Sequence, residues 1–461
     1  MQRPNIVYIL ADDWGYGDVS CLNPESKIQT PHTDQLARCG MTFTDAHSNS
    51  AVCTPTRYGI LTGRYCWRSQ LKKGVLFGYS TPLIETGRMT VASLLHDQGY
   101  TTACVGKWHL GLDWPLKDGA TDANRDTVDF ARSLTGGPRT AGFDHSFVIP
   151  ASLDMEPYCY IEDGHVVELP SEEIGDSPRP AFWRGGACAP GFSHETCLLE
   201  LTMKAESFIY AQAQLDKPFF LYFPMPSPHT PHFSRTRFQG RSKAGEYGDY
   251  VTEHDWCIGR IVRALERHGL AQNTLVIVTS DNGCHAGPIG LKEKYDHLGN
   301  FIYRGQKSDA WDGGHHIPFL ACWPGVIEAG SQCDQTVCLT DLMATVAGIL
   351  GVELPSDAGE DSCNILPYFK GETQTIREAT VHHSVNGDFA IRKHQWKLIE
   401  CRGSGGWSLK EADVPDEAPP MQLYDMATDP EEQHNLFVQE PDVVADLLGL
   451  LNRYRTSGRS G

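Results

Sequence analysis

Val52-Cys53-Thr54-Pro55-Thr56-Arg57-Tyr58-Gly59-Ile60-Leu61-Thr62-Gly63-Arg64 is the stretch on which the reading of this chain turns. Pro55 suits the first turn of a helix, residues 56–61 can continue it and Gly63 can end it, so Cys53 is expected at the helix N-terminus. Unsatisfied backbone N–H groups and the positive end of the helix dipole would then surround the thiol. Arg57, four residues on, returns to the same face and adds a permanent cation. Such a place binds an anion and activates a nucleophile.

Outward from that helix, the strands are legible as apolar runs. Residues 5–10 are almost wholly apolar, the pattern of a strand buried on both faces, and they deliver Asp12-Asp13 at the C-terminal end. Residues 274–278 repeat the pattern and deliver Ser280-Asp281-Asn282-Gly283. Open α/β sheets hold their ligands at that edge. Adjacent carboxylates repel unless a cation lies between them, and with Asp281 and Asn282 they form an all-oxygen set that suits Ca²⁺ better than Mg²⁺.

A helix over 90–98 and a strand over 101–105 lead into Gly106-Lys107-Trp108-His109-Leu110-Gly111, where Lys107 and His109 alternate and can point one way. A helix over 195–215 and a strand over 218–223 precede Pro224-Met225-Pro226-Ser227-Pro228-His229-Thr230-Pro231-His232, whose prolines stiffen the loop holding His229. Helices are further expected over 247–268, 339–350 and 442–454, with short antiparallel strands at 389–392 and 396–399. Residues 142–190, rich in Pro, Gly and Cys without a steady period, read as a long irregular excursion over the sheet edge, and residues 355–371 as a linker-like turn region. The expected fold is α/β: a large, mostly parallel mixed sheet flanked by helices, with a small C-terminal α+β subdomain. The expected division is a catalytic domain at 1–366 and a C-terminal subdomain at 367–461.

The chain of 461 residues is 40% hydrophobic and 21% charged, ordinary for a globular protein. A formal net charge of −19 argues against a nucleic-acid partner and requires a local cluster of cations to attract any anionic substrate. Fifteen cysteines are an odd number without finger-like spacing, and Cys333 with Cys338 is the one pair considered for a disulfide. No apolar run approaches the length of a membrane span. Residue 5 already begins a strand with no charged and apolar leader before it, so a periplasmic or extracellular location requires a removed signal peptide, and a cytoplasmic one is otherwise expected.

Cys-x-Pro-x-Arg followed by Leu-Thr-Gly-Arg, the Ala-Asp-Asp-Trp-Gly-Tyr-Gly-Asp loop at 11–18, the complete Gly-Lys-Trp-His-Leu-Gly segment and Pro-His-x-Pro at 228–231 together resemble the formylglycine-dependent sulfatases. The spacing is most similar to the arylsulfatase A and N-acetylgalactosamine-6-sulfatase branch. The resemblance implies an alkaline phosphatase-like fold and oxidation of Cys53, by a formylglycine-generating maturation enzyme, to an aldehyde whose hydrate is the nucleophile. It implies Ca²⁺ held by Asp12, Asp13, Asp281, Asn282 and residue 53. By the same resemblance Lys107 and Lys307 bind the sulfate, Arg57 fixes the hydrate with His109 beside it, and His229 protonates the leaving oxygen. Two departures stand out: Thr56 replaces the usual Ser or Ala, and His316 replaces an Arg before Ile317-Pro318-Phe319.

The implied substrate is a sulfated carbohydrate, with exo-acting removal of 6-O-sulfate from galactose or N-acetylgalactosamine as the specific expectation. A terminal sugar needs a closed pocket with a few polar groups, and Asp154 of Ser152-Leu153-Asp154-Met155, His315 and His316 are the expected sugar contacts. Two rivals share the motifs: a phosphonate or phosphate monoester hydrolase of the same superfamily, and a sulfated-glycan-binding protein that has lost its chemistry.

Overall fold

In the computed structural model, residues 3–178 and 181–461 are described. Ten strands form one sheet. In chain order they are β1 (Asn5–Asp12), β2 (Met41–Phe43), β3 (Thr101–Lys107), β4 (His145–Ile149), β5 (Ile161–Glu162), β6 (His165–Val166), β7 (Phe219–Pro228), β8 (Thr274–Ser280), β9 (Phe319–Cys322) and β10 (Ser331–Cys333). Across the sheet they run β10-β2-β9-β8-β1-β7-β3-β4-β5-β6. The centre, β8-β1-β7-β3-β4, is parallel throughout, and antiparallel pairings appear only towards the edges.

Alternation along β1 explains its continuous apolar run. Ile6, Tyr8 and Leu10 face one core with α2 (Cys53–Thr62), α3 (Val91–Asp97) and α6 (Leu342–Leu350), while Val7, Ile9 and Ala11 face a second core with α1 (Pro31–Cys39), α4 (His194–Gln212) and α5 (Gly245–Arg267). Both faces are covered, as a parallel sheet requires. The helix around the opening stretch forms as expected: α2 begins at Cys53 and ends where Gly63, at φ 62°, donates its N–H to the Gly59 carbonyl.

The C-terminal part is an antiparallel sheet of β11 (Thr380–His383), β12 (Phe389–Lys393), β13 (Trp396–Ile399) and β14 (Gln422–Asp425). Helix α7 (Pro441–Ser457) covers it, with Leu447, Leu450 and Leu451 against Val381, Ile391 and Leu398.

The 142–190 stretch is more ordered than expected. It contains β4, a full member of the parallel sheet, and the short strands β5 and β6. A five-residue strand beginning with an exposed histidine carries too little pattern to be seen locally; pairing with β3 makes it. Cys333 and Cys338 are free, as are the other cysteines among the described residues. No helix there is long and apolar enough to cross a membrane.

Candidate active site

The carboxyl ends of the central strands converge on the N-terminus of α2. β1 ends at Asp12, with Asp13 beyond it at φ 66°; β8 leads into Asp281 and Asn282; β3 ends at Lys107; and β7 leads into His229. Asp13, His109 at φ 55° and Ser308 at φ 88° all lie in the left-handed region, a local strain held by the surrounding packing. Asp12, Arg57, Lys107, His109, Asp281 and Asn282 are wholly buried, whereas Cys53, Asp13, Lys307 and His229 each keep a few per cent exposure, which marks the side open to a ligand.

Each carboxylate of the cluster is met by a permanent cation. Lys107 Nζ donates to Asp12 Oδ2 at 2.6 Å, and Lys307 Nζ to Asp13 Oδ2 at 2.8 Å. Arg57 donates to Asp281 Oδ2 from Nε at 3.0 Å and Nη2 at 2.7 Å, and from Nη1 to the Lys107 carbonyl at 3.1 Å. Asn282 Nδ2 donates to Asp13 Oδ1 at 2.7 Å. The loop carrying Asp13 is braced by Asp18, which accepts from Gly15 N–H, the Tyr247 hydroxyl and His297 Nε2.

Burial opposes ionisation of Asp12, yet Lys107, His229 and Arg57 hold it well below the usual carboxylate range. Burial, and then the Asp12 carboxylate, push Asp281 up to about 7 against the pull of Arg57. Asp12 Oδ1 and Asn282 Oδ1 are buried with no hydrogen-bond partner among the described residues. Asp12, Cys53 and Asp281 each place a ligand atom within 4.8 Å of the others. Converging carboxylates with uncommitted oxygens fit a hard, oxygen-loving dication. This buried cluster can bind a metal.

One electrostatic expectation is corrected. Position at the helix end does not make Cys53 a thiolate: burial pushes the thiol up despite Lys107 and Lys307. Arg57 is also spent on Asp281. His109 donates from Nε2 to the Leu76 carbonyl at 2.7 Å, leaving Nδ1 as a buried lone pair; burial, Lys107 and Arg57 hold this imidazole well below its ordinary value.

His229 stands at the open side. Nδ1 lies 2.7 Å from the Thr230 carbonyl, an acceptor, so Nδ1 carries hydrogen and Nε2 faces Asp13 Oδ2 at 3.7 Å. Ser152 Oγ is 3.3 Å from that Nε2 and accepts from Lys107 Nζ at 3.1 Å, so one hydroxyl joins the histidine to the lysine. Its role was missed in the sequence, where it is one serine inside an irregular stretch.

The three expected sugar contacts are not brought into this cluster. Asp154 binds the Arg184 guanidinium, which is itself half-exposed. His316 directs Nδ1 to Asp312 at 3.1 Å and Nε2 to the Thr44 carbonyl at 2.9 Å, and it stacks on Tyr303. His315 directs Nδ1 to His47 and Nε2 to the Ala310 carbonyl. Neither histidine reaches a sugar directly, because both rings are buried.

The sequence profile of the sulfatase family matches residues 4–352, and that of the C-terminal region of N-sulphoglucosamine sulphohydrolase matches residues 306–456. The chain belongs to the sulfatase family. An N-acetylgalactosamine-6-O-sulfatase of Bacteroides thetaiotaomicron is 36% identical, over 99% of this sulfatase and 94% of that protein. Human arylsulfatase A is 32% identical, over 94% and 83%. A solved structure from work on the metabolism of multiple glycosaminoglycans by Bacteroides thetaiotaomicron superposes with a TM-score of 0.86 at 35% identity, covering 99% of this chain and all of that one. The alkaline phosphatase-like architecture and sulfuric ester hydrolase activity follow from this membership. Of the rivals, hydrolysis of phosphonates or phosphates thereby loses its claim as the primary activity.

Proposed function

We propose that this sulfatase is exo-acting and removes 6-O-sulfate from galactose or N-acetylgalactosamine in a sulfated glycan. The observation that carries the reading is the arrangement of Lys107, Ser152 and His229 beside the Asp12, Cys53 and Asp281 cluster: an anion-binding lysine and a proton donor share one hydroxyl. The relative named N-acetylgalactosamine-6-O-sulfatase, matched over 94% of its length, supports the choice of sugar and position.

Formylglycine at position 53, made by a maturation enzyme, would supply a hydrated aldehyde as nucleophile, and Ca²⁺ held by Asp12, Asp13, Asp281 and Asn282 would supply positive charge beside the sulfate. Lys107 and Lys307 bind the sulfate oxygens, each turning from the carboxylate it now meets. Arg57, bound to Asp281 and the Lys107 carbonyl, fixes the distance between α2 and the ends of β8 and β3. His109, held by Nε2–H on the Leu76 carbonyl, leaves Nδ1 as a buried acceptor for a hydrogen bond from the hydrated aldehyde. His229 delivers a proton from Nε2 to the departing sugar oxygen, with Nδ1–H on the Thr230 carbonyl holding the ring in place. Asp154, two residues past Ser152, would act through Arg184, which it binds and whose half-exposed guanidinium is free to donate to sugar hydroxyls.

Residues 1–366 supply every group in this scheme, and residues 367–461 brace it. Asp309, two residues past Lys307, accepts from Ser404 Oγ and Trp407 N–H at 2.9 Å each. The test is sulfate release from a panel of sulfated monosaccharides and oligosaccharides. Selective turnover of terminal 6-O-sulfated galactosamine is expected; preference for 4-O-sulfate, for glucosamine sulfates or for internal positions would overturn the assignment.

A further inference from the structure

A chain with a formal net charge of −19 carries a concentrated basic face. Residues 235–268 hold seven Lys or Arg against five Asp or Glu, and three of those acids are turned inward. Asp249 accepts from the Gly240 and Ser242 N–H groups, Glu253 from the Arg235 N–H, and Asp255 from the His32 and Thr33 N–H groups, so their charge is spent inside the fold. The arginines of the same segment keep at least part of their surface in solvent. On α5, Trp256, Arg260, Arg263 and Arg267 recur at intervals of four, three and four residues, which puts them on one stripe of the helix.

The stripe borders a groove of about 680 Å³ between α4 and α5, whose other wall includes Met203, Ser207 and Tyr210 of α4. Guanidinium groups crowd around Trp256: Arg237 lies 3.8 Å from its ring centroid, Arg235 4.9 Å and Arg260 5.0 Å. Among the described residues, Arg235, Arg237, Arg260, Arg263 and Arg267 form only two ion pairs, Arg235 with Glu253 and Arg260 with Glu206. Arg237, Arg263 and Arg267 are left without a carboxylate, and burial and then Arg235 push the Arg237 guanidinium below its ordinary value. Like charges gathered without counter-charges repel until an anion joins them. The helix dipole accounts for Arg267 alone, which stands in the last turn of α5; Arg263 lies one turn back, and Arg237 lies off the helix in the turn Thr236–Phe238.

We propose that the groove between α4 and α5 is a second binding site for the sulfated glycan chain, where Arg237, Arg263 and Arg267 hold sulfates of the polymer away from the reacting centre. The proposal rests on the reading that the substrate is a sulfated carbohydrate. From Trp256 to Arg267 the helix rises roughly 16 Å, longer than a single sugar, so the ligand is a chain. Guanidinium groups meet sulfate oxygens with paired N–H donors as they meet phosphate, and Trp256 and Tyr210 offer ring surface to the apolar faces of sugars. A nucleic-acid duplex is a poorer occupant, because it would carry its phosphates beyond the patch and against the acidic remainder of the protein. Arg235 and Arg237 lie on the connection that leaves His229, so the basic face begins on the loop of the proton-donating histidine and continues along α5. Holding the polymer there raises the local concentration of its sulfated ends at the active site.

The test uses the full chain and chondroitin 6-sulfate, a polymer of 6-O-sulfated N-acetylgalactosamine units. Calorimetry on Cys53→Ala, which cannot consume the polymer, should show binding that weakens with added salt. Arg237→Gln, Arg263→Gln and Arg267→Gln introduced together should weaken that binding about tenfold or more, with Tm unchanged because none of the three is in an ion pair. With Cys53 in place, the triple variant should turn over nitrophenyl sulfate and the 6-O-sulfated monosaccharide as before, while KM for the polymer ends rises. Equal affinity of the triple variant and its parent would overturn the proposal. So would two results that need no substitution in the groove: binding indifferent to salt, or equally tight binding of the desulfated polymer or of duplex DNA. A monosaccharide panel favouring another sulfate position would change the assigned sugar and leave the groove result standing.

Discussion

Arg57 grips Asp281 with two nitrogens, at 3.0 and 2.7 Å, and both side chains are wholly buried. The second turn of α2 is thereby locked to the end of β8, and the nucleophile position to the strand that bears the metal-binding carboxylates. Removing one member leaves an uncompensated buried charge, so Arg57→Ala is expected to cost about 3–5 kcal/mol and to abolish turnover. Urea unfolding in calcium-free buffer measures it; an unchanged midpoint would show the pair to be dispensable for the fold.

Cys53→Ala is expected to remove turnover while leaving Tm close to that of the parent, since the side chain lost is small and the ion pairs around it remain. Mass spectrometry of the peptide carrying residue 53 should find formylglycine in active protein from a host able to make it. Active protein with an unmodified cysteine there would contradict the mechanism.

His229→Ala should slow sugar sulfates by about 10²–10⁴-fold and nitrophenyl sulfate far less, because a phenolate leaves without help while an alkoxide does not. Ser152→Ala, which removes the link between His229 and Lys107, should show the same bias to a smaller degree. Equal losses on the two substrates would assign His229 to binding instead.

Calcium should stabilise the folded chain by mass action, by about 2.7 kcal/mol at a hundred times its Kd. Thermal unfolding with added calcium and after chelation gives the shift. In Asp281→Ala the response should vanish, and a full response in that variant would place the ion elsewhere.

Asp154→Ala should free Arg184 and raise KM for a 6-O-sulfated sugar about tenfold or more, in keeping with about 1.5–3 kcal/mol for a hydrogen bond to a charged group. Nitrophenyl sulfate, which lacks the hydroxyls, should be turned over as before. A parallel rise for both substrates would point to collapse of the loop rather than loss of a sugar contact.

The sequence by itself determined the elements whose signals are local. β1 and β8 are buried on both faces, so each is a continuous apolar run with its carboxylates immediately after; α2 carries Pro55 in its first turn and Gly63 at its end. Chain order and motif spacing were therefore enough for the α/β class, the family and the residues that gather at the strand ends. Tertiary structure alone decided what depends on partners far along the chain. β4 exists through its pairing with β3, and Arg57 is turned to Asp281, more than two hundred residues away. Burial pushed the Cys53 thiol up where its helix position argued for the reverse. His315 and His316, which sequence placed near the sugar, were drawn into a buried cluster by His47, Asp312 and Thr44. Periodicity reports a residue's own segment, whereas desolvation and hydrogen-bond partners are set by segments that meet only when the chain has folded.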